Sequence, residues 1–290
     1  MPASSTTVFD QPATLMAWSD AQRVAGRTVA LVPTMGALHD GHLALVAEAR
    51  RHADVVVVSI FVNPLQFNRS DDFDAYPRPL DDDLALCREH GVDAVYAPRA
   101  AAMYPPGFAT HVEPGPLGEL LEGAHRPHHF RGVATVVAKL FGAARPHVAV
   151  FGQKDFQQLA IIRRMADDLD MGIEIIGMAT VREPDGLAMS SRNRRLSPGE
   201  RAAATCVPRS LQALADALSR GVAGTAELAA VGRAVVQAEP LARFEHLEIV
   251  DADTLQPLTT IHDRAVAVTA VWFGQVRLID NRLLAAGRPA

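Results

Sequence analysis

The sequence predicts an α/β fold, a doubly wound parallel sheet, with a second, smaller α+β domain at the C-terminus. Three observations predict it. Strand and helix patterns alternate through residue 181. The run 54-DVVVVSIFVN-63 is too apolar for a one-sided sheet and suits a central parallel strand covered on both faces. Past residue 184 the alternation stops, and helices are followed by two long strand patterns.

The elements follow in order. Residues 28-TVALVPT-34 read as a buried strand. Over 41–52, Leu43, Val46 and Ala47 recur at helical spacing. In 79-PLDDDLALCREHG-91, Pro79 and the acidic run occupy a helix's first turn and Gly91 stops it. Then 92-VDAVYAP-98 is a short strand, and 132–144 an apolar helix ended by Arg145-Pro146. Strand 147-HVAVFG-152, helix 155–169 and strand 172-GIEIIGMATV-181 complete the series. Right-handed crossovers connect such units. The polar stretch 184-PDGLAMSSRNRRLSPGE-200 breaks the pattern. A helix restarts at Ser197-Pro198, with Glu200 at capping-box spacing. Helical segments cover 199–220 and 225–238, and 243–255 and 264–281 read as antiparallel strands. The expected domains are 1–184, carrying the site, and 185–290.

Bulk composition narrows the function classes. Of 290 residues, 49% are hydrophobic and 21% charged, enough to bury a sizeable core. The net charge of −5 gives no bulk reason to expect nucleic acid as a partner. Cys87 and Cys206 are far apart and outside any CxxC pattern, so buried free thiols in a reducing compartment are expected. The N-terminus lacks a basic segment followed by an apolar one. No apolar run reaches the ~18 residues of a membrane span. The expectation is a cytoplasmic protein with no membrane partner.

In an open parallel sheet, ligands bind beyond the carboxyl ends of the strands. Pro33, Thr34, Met35, His39 and His42 follow the first predicted strand, and Asn63, Pro64 and Gln66 the second. Gln153, Lys154, Asp155, Gln157 and Gln158 follow the strand 147–152, and Asp185, Ser190, Ser191 and Arg192 follow 172–181. Four sequence-distant polar groups thus fall on one edge. The pair His39 and His42 admits three readings: an incomplete metal site, an acid–base pair, or an anion site. The anion site fits best, because Gly41 lets backbone come close and the starting helix offers free N–H groups. Lys154 suits a polyphosphate, and Ser190, Ser191 and Arg192 suit phosphate oxygens. Asp81, Asp82 and Asp83 could assist magnesium, although such a run is more often a solvated helix start. Gln66 and Gln158 offer neutral amides for hydroxyls and a carboxylate.

The segments PTMGALHDGH, FVNPLQF, DFDAYPR, HRPHHFRGVATVVAKLF, FGQKDFQQL and DGLAMSSRNRRL strongly resemble, in order, the signatures of the pantothenate synthetase (pantoate–β-alanine ligase) family. They cover most of 28–196, and VDADTL and VRLIDN extend the likeness more weakly. Within that, HxGH is shared by many nucleotidyl transferases, whereas its combination with QKDFQQ and MSSRN is specific.

The resemblance implies a Rossmann-like catalytic domain, a C-terminal domain covering it, and a homodimer joined through the N-terminal domains. It implies ATP and Mg2+, with pantoate and β-alanine as substrates and a pantoyl adenylate between them. Such an adenylate hydrolyses readily, so a covering domain hinged at SSRN would exclude water. By matching position, Met35, Gly36, Ala37, Leu38, His39, Asp40, Gly41 and His42 line ATP. His42 is the proton donor, and His39 stabilises the pentacoordinate phosphorus. Gly152, Gln153, Lys154 and Asp155 match the ATP loop, with Lys154 on phosphate and Asp155 near the ribose. Val181 matches an adenine-side contact, and Met189, Ser190, Ser191 and Arg192 a phosphate clamp. Gln66 matches the contact to pantoate and β-alanine and Gln158 the contact to pantoate, with Pro33, Met35 and Asn63 also assigned to the substrates. Arg126 and His129 fall in a lid-like loop, and Asp82 is the carboxylate assigned to magnesium. Family members commonly carry Glu where this chain has Gln153, and the amide retains an acceptor oxygen.

Overall fold

The computed structural model describes residues 6–68, 70–261 and 263–285. They form two compact units. The first comprises the described residues up to Gln153, together with Gln157–Ala179; the second comprises Lys154–Phe156 and the described residues from Thr180 onward. The later part of the second unit begins at Thr180, and residues 181–189 fold on themselves: Arg182 bridges Ala188, and the Met189 amide donates to Val181 O.

The first unit holds a six-stranded parallel sheet. Its strands are β1 (Thr7–Phe9), β2 (Val29–Thr34), β3 (Val55–Ile60), β4 (Ala94–Tyr96), β5 (Val148–Gly152) and β6 (Glu174–Met178). They lie in the order β1-β4-β3-β2-β5-β6. The order reverses at β2 and β5, which places the ligand crevice of such sheets at the carboxyl ends of these two strands. The helices are α1 (Pro12–Val24), α2 (Asp40–His52), α3 (Ser70–Asp74), α4 (Leu80–Glu89), α5 (Ala100–Met103), α6 (Glu122–His125), α7 (His129–Ala144) and α8 (Phe156–Asp168).

Alternation along the strands builds two cores. Val29, Leu31, Val55 and Val57 pack with Leu15 of α1 and with Val133, Val137 and Phe141 of α7. Ala30, Val32, Val56 and Val58 face the other way, onto Leu45, Val46 and Ala49 of α2 and Leu84 and Cys87 of α4. Full burial of each such aliphatic contributes about 1.5–3 kcal/mol. The β-branched run expected over 54–63 is strand only over Val55–Ile60, which frees Phe61 to Gln66 to turn out of the sheet. Helix α7 begins at His129, three residues before its expected start. The strand β1 and helix α1 carry no strong sequence signal: Gln11 caps with no side-chain bond.

The second unit contains α9 (Pro198–Ala203), α10 (Cys206–Ser219), α11 (Thr225–Gln237) and an antiparallel sheet β7-β8-β9 (Ala242–Asp251, Arg264–Phe273, Val276–Ala285). The capping box is formed in both directions between Ser197 and Glu200. The single helix expected over 199–220 is two helices, because Pro208 has no N–H to offer the carbonyl at 204. Phe273 pairs with Val276 around a two-residue turn in which Gly274 has φ +55°. Leu211, Leu214 and Leu228 pack on Leu247, Ile249 and Ala267. Among the described residues, no helix is long and apolar enough to cross a membrane.

Candidate active site

The β2–α2 loop is built around backbone amides. Thr34 Oγ1 donates to Ser59 O on β3 at 2.7 Å and accepts from Gly36 N at 3.1 Å. Gly36 and Ala37 then take left-handed conformations, φ +79° and +51°. The turn aims the Ala37 and Leu38 amides at Asp83 of α4, whose carboxylate accepts both, at 2.9 and 2.7 Å. His39 is the N-cap of α2, its Nδ1 accepting from Gly41 N at 3.1 Å. An accepting Nδ1 places the proton of a neutral His39 on Nε2. His42 lies one turn into the helix, its ring centroid 4.0 Å from that of His39. Both imidazoles therefore sit at the positive end of the α2 dipole, where an anion is favoured.

The end of β3 carries the first glutamine. Residues Pro64–Gln66 form a 3-10 turn capped by Asn63, whose Oδ1 accepts from Leu65 N at 3.2 Å. Asn63 Oδ1 also accepts from the Tyr104 hydroxyl at 2.7 Å. Its Nδ2 donates to Gly132 O and to Gln66 Oε1, both at 3.0 Å. A backbone N–H can only donate and a backbone carbonyl only accept, so Asn63 has one orientation, and it transmits that orientation to Gln66. The Gln66 Nε2 points at Met35 Sδ, 3.2 Å away. Thioether sulfur is a weak acceptor, so an anionic or hydroxyl oxygen would displace it readily. His129 Nδ1 lies 2.7 Å from Gln66 O, and Arg126 reaches the same carbonyl at 3.3 Å.

At the end of β5, Gln153 Nε2 donates to Gly177 O on β6 at 3.4 Å. A Cβ on Gly152 would meet nothing within 4 Å, so the strand end is open beside it. On α8, Gln157 is buried and ties down the segment ahead of α6: it donates to Leu117 O and Leu120 O and accepts from Glu122 N. Gln158 is half-buried and makes no side-chain hydrogen bond among the described residues.

The second unit carries the remaining expected residues. Lys154 Nζ lies 4.0 Å from the Asp155 carboxylate, and the Lys154 carbonyl accepts from Asn281 Nδ2 at 2.8 Å. Val181 and Met189 face each other across the 181–189 turn. Ser190 caps the 3-10 turn Ser191–Arg195, its Oγ accepting from Arg192 N. Asn193 braces this turn by donating to Glu183 Oε1 and Ala188 O. Arg201 binds Glu183 and Asp185, and its hydrogen bond holds the Asp185 carboxyl below the usual range.

The first unit thus joins His39 with His42, Met35 with Gln66, and Gln66 with Arg126 and His129. Asn63 is 1% exposed, and both polar atoms of its side chain are bonded within the protein, the amide nitrogen to Gln66 Oε1. His129 opens α7, is 8% exposed and faces the Gln66 carbonyl. Within the acidic run, Asp83 is buried and accepts from two loop amides, whereas Asp82 is exposed on the first turn of α4. Asp83, Tyr104 and Gly132 are the contributors that the sequence did not reveal. Their partners lie 45, 41 and 69 residues away, where no spacing rule reaches.

Comparison with known proteins places this geometry. Residues 7–283 match the family model described as Pantoate-beta-alanine ligase. A pantothenate synthetase from Roseiflexus castenholzii is 55% identical over 89% of this chain and 93% of its own. One from Geobacter sulfurreducens is 48% identical over 96% and 98%. The crystal structure of pantothenate synthetase from Thermus thermophilus superposes with a TM-score of 0.89 at 47% identity, covering 96% of this chain and 99% of that one. The pantoate-beta-alanine ligase from Francisella tularensis, complexed with beta-gamma ATP and beta-alanine, gives 0.79 at 31% identity, covering 96% and 98%. The chain is a ligase and belongs to the pantoate–β-alanine ligase family.

Proposed function

We propose that the protein condenses (R)-pantoate with β-alanine to give pantothenate, using ATP and releasing AMP and pyrophosphate. One observation carries the reading: the Gln66 amide, oriented by Asn63, meets Met35 at the mouth of the loop that bears His39 and His42. An amide donor for a small hydroxy acid and an anion-binding helix start thereby share one strand edge. The ATP- and β-alanine-bound Francisella relative supports the same substrates.

In the first step a pantoate carboxylate oxygen attacks the α-phosphorus, forming the P–O bond of pantoyl adenylate as the bond to pyrophosphate breaks. His39 Nε2–H and His42 donate to the charge developing on the phosphates, aided by the α2 amides. In the second step the neutral amine of β-alanine attacks the acyl carbon. The amide C–N bond forms, AMP leaves, and the amine proton departs. Gln66 and Gln158 hold the hydroxy acid in line, and such positioning supplies much of the rate. Lys154, Asp155, Val181 and Met189 to Arg192 are assigned to ATP, with Gly152 and Gln153 at the end of β5. Magnesium enters with the nucleotide as MgATP, and Asp82 is the carboxylate assigned to it. The active form is a cytoplasmic homodimer joined through the N-terminal units, and its product feeds coenzyme A synthesis.

The test is incubation with ATP, Mg2+, pantoate and β-alanine, omitting each in turn. AMP and amide product appear only with all present. An adenylate-forming enzyme that stops halfway would release pyrophosphate without β-alanine and make no amide. His42→Ala abolishes turnover and retains the fold; normal turnover in that variant refutes the role of His42.

A further inference from the structure

We infer that Asp83 is a positioning residue for the histidine pair: its buried carboxylate sets the loop from which His39 and His42 project. An acidic residue in a helix's first turn ordinarily serves the exposed amides and dipole of its own helix. Asp81 and Asp82 are exposed there. Asp83 is 1% exposed and spends both oxygens on another segment.

The geometry is closed from the loop side as well. Ala37 and Leu38 are 3% and 4% exposed, so water does not replace the carboxylate at their amides. Ala37 holds φ +51°, a conformation that an alanine keeps only when its surroundings enforce it. Gly36 permits the approach: a Cβ there would lie 2.8 Å from Asp83 Oδ2. The carboxylate thus fixes residues 37 and 38, the next residue is the N-cap His39, and His42 stacks on it. A shift of the loop turns both imidazoles together.

The proposal rests on the function proposed above for its kinetic readout and on spectroscopy for an independent one. Asp83→Asn keeps the shape but sets an NH2 against one of the two amides. Its kcat falls on the order of 100-fold, the scale of a displacement near 1 Å, while KM for β-alanine stays within about twofold, less than 0.5 kcal/mol of binding. The His39 and His42 ring resonances in a long-range 1H–15N spectrum move, without substrate present. Asp83→Glu retains the charge with a misplaced carboxylate and shows a smaller fall with the same resonances moved. Leu84→Ala, on the same helix, loses stability with kcat unchanged.

Wild-type kcat or unmoved ring resonances in Asp83→Asn would overturn the proposal, as would a kcat loss in Leu84→Ala equal to that in Asp83→Asn. If Asp83→Asn does not fold, Asp83→Glu decides alone, and full kcat with unmoved rings refutes the idea. Absence of any pantothenate synthesis by the wild type would instead sink the functional reading, and the ring resonances would still judge Asp83.

Discussion

Two glycines of α7 should respond to alanine in opposite ways. Gly132 lies against the 3-10 turn that carries Gln66: an added Cβ would sit 2.3 Å from Leu65 O, 2.5 Å from Leu65 C and 2.8 Å from Gln66 N. All three are backbone atoms, so no side chain can swing aside. Relieving the carbonyl contact to an ordinary separation of about 3.3 Å moves the turn by roughly 1 Å. Overpacking of this kind costs about 1–3 kcal/mol, offset by roughly 1 kcal/mol of helix propensity. The net loss of stability is about 0–2 kcal/mol, and activity carries the larger signal. Displacing a substrate-holding amide by about 1 Å lowers kcat/KM for pantoate on the order of 100-fold, or about 2.7 kcal/mol. Gly142, on the same helix, has nothing within 4 Å of its Cβ position and is exposed. Gly142→Ala gains roughly 0.5–1 kcal/mol with unchanged kinetics. The assay is β-alanine-dependent AMP release with pantoate varied, alongside urea unfolding. Wild-type kcat/KM in Gly132→Ala would refute the claim that α7 fixes the Gln66 turn by backbone contact.

Two further predictions concern the second unit. Arg182 binds Asp280 through two bonds of 2.8 and 3.0 Å, and the Asp280 side chain is 1% exposed. Arg182→Ala strands a buried carboxylate and destabilises by about 3–5 kcal/mol, read by chemical denaturation; Arg182→Lys recovers part of this through a single bond. Burial alone would raise the Glu245 carboxyl, but the Arg277 hydrogen bond and charge, with the Trp272 indole, bring it from 4.5 to about 2. A depressed folded-state pKa means the stabilisation is complete above 4.5 and lost as pH falls toward 2. Glu245→Gln should flatten the acid limb of the stability profile in that window, and an unchanged limb would refute the assignment.

Much of the fold was legible because its signals are local. Val55 to Val58 are β-branched and buried on both faces, which only a central parallel strand accommodates. Ser197, Pro198 and Glu200 announce a helix start by spacing alone, and all three occupy the expected places. The place of the histidine pair, at a strand-to-helix turn, was legible through the strand–glycine–helix order. The supports were not. Asn63 follows a strand, which placed it near the site, but its bonds to Tyr104 and Gly132 reach too far along the chain to be read from spacing. Asp83 was hidden inside a run of three aspartates, since charge patterning does not say which member turns inward. The His128 backbone, left-handed at φ +64°, starts α7 where a helix-start pattern would not put it.

Neither compact unit is one uninterrupted length of polypeptide. The three residues 154–156 group with the later chain, and the chain then returns for 157–179. A single cut at 180 would therefore strip Lys154 of the Asn281 amide that grips its carbonyl from 127 positions away. Expressing the two halves separately, or grafting one onto a foreign partner, severs the anchor of the lysine assigned to the triphosphate. Any division of this gene has to carry both ends of that tether.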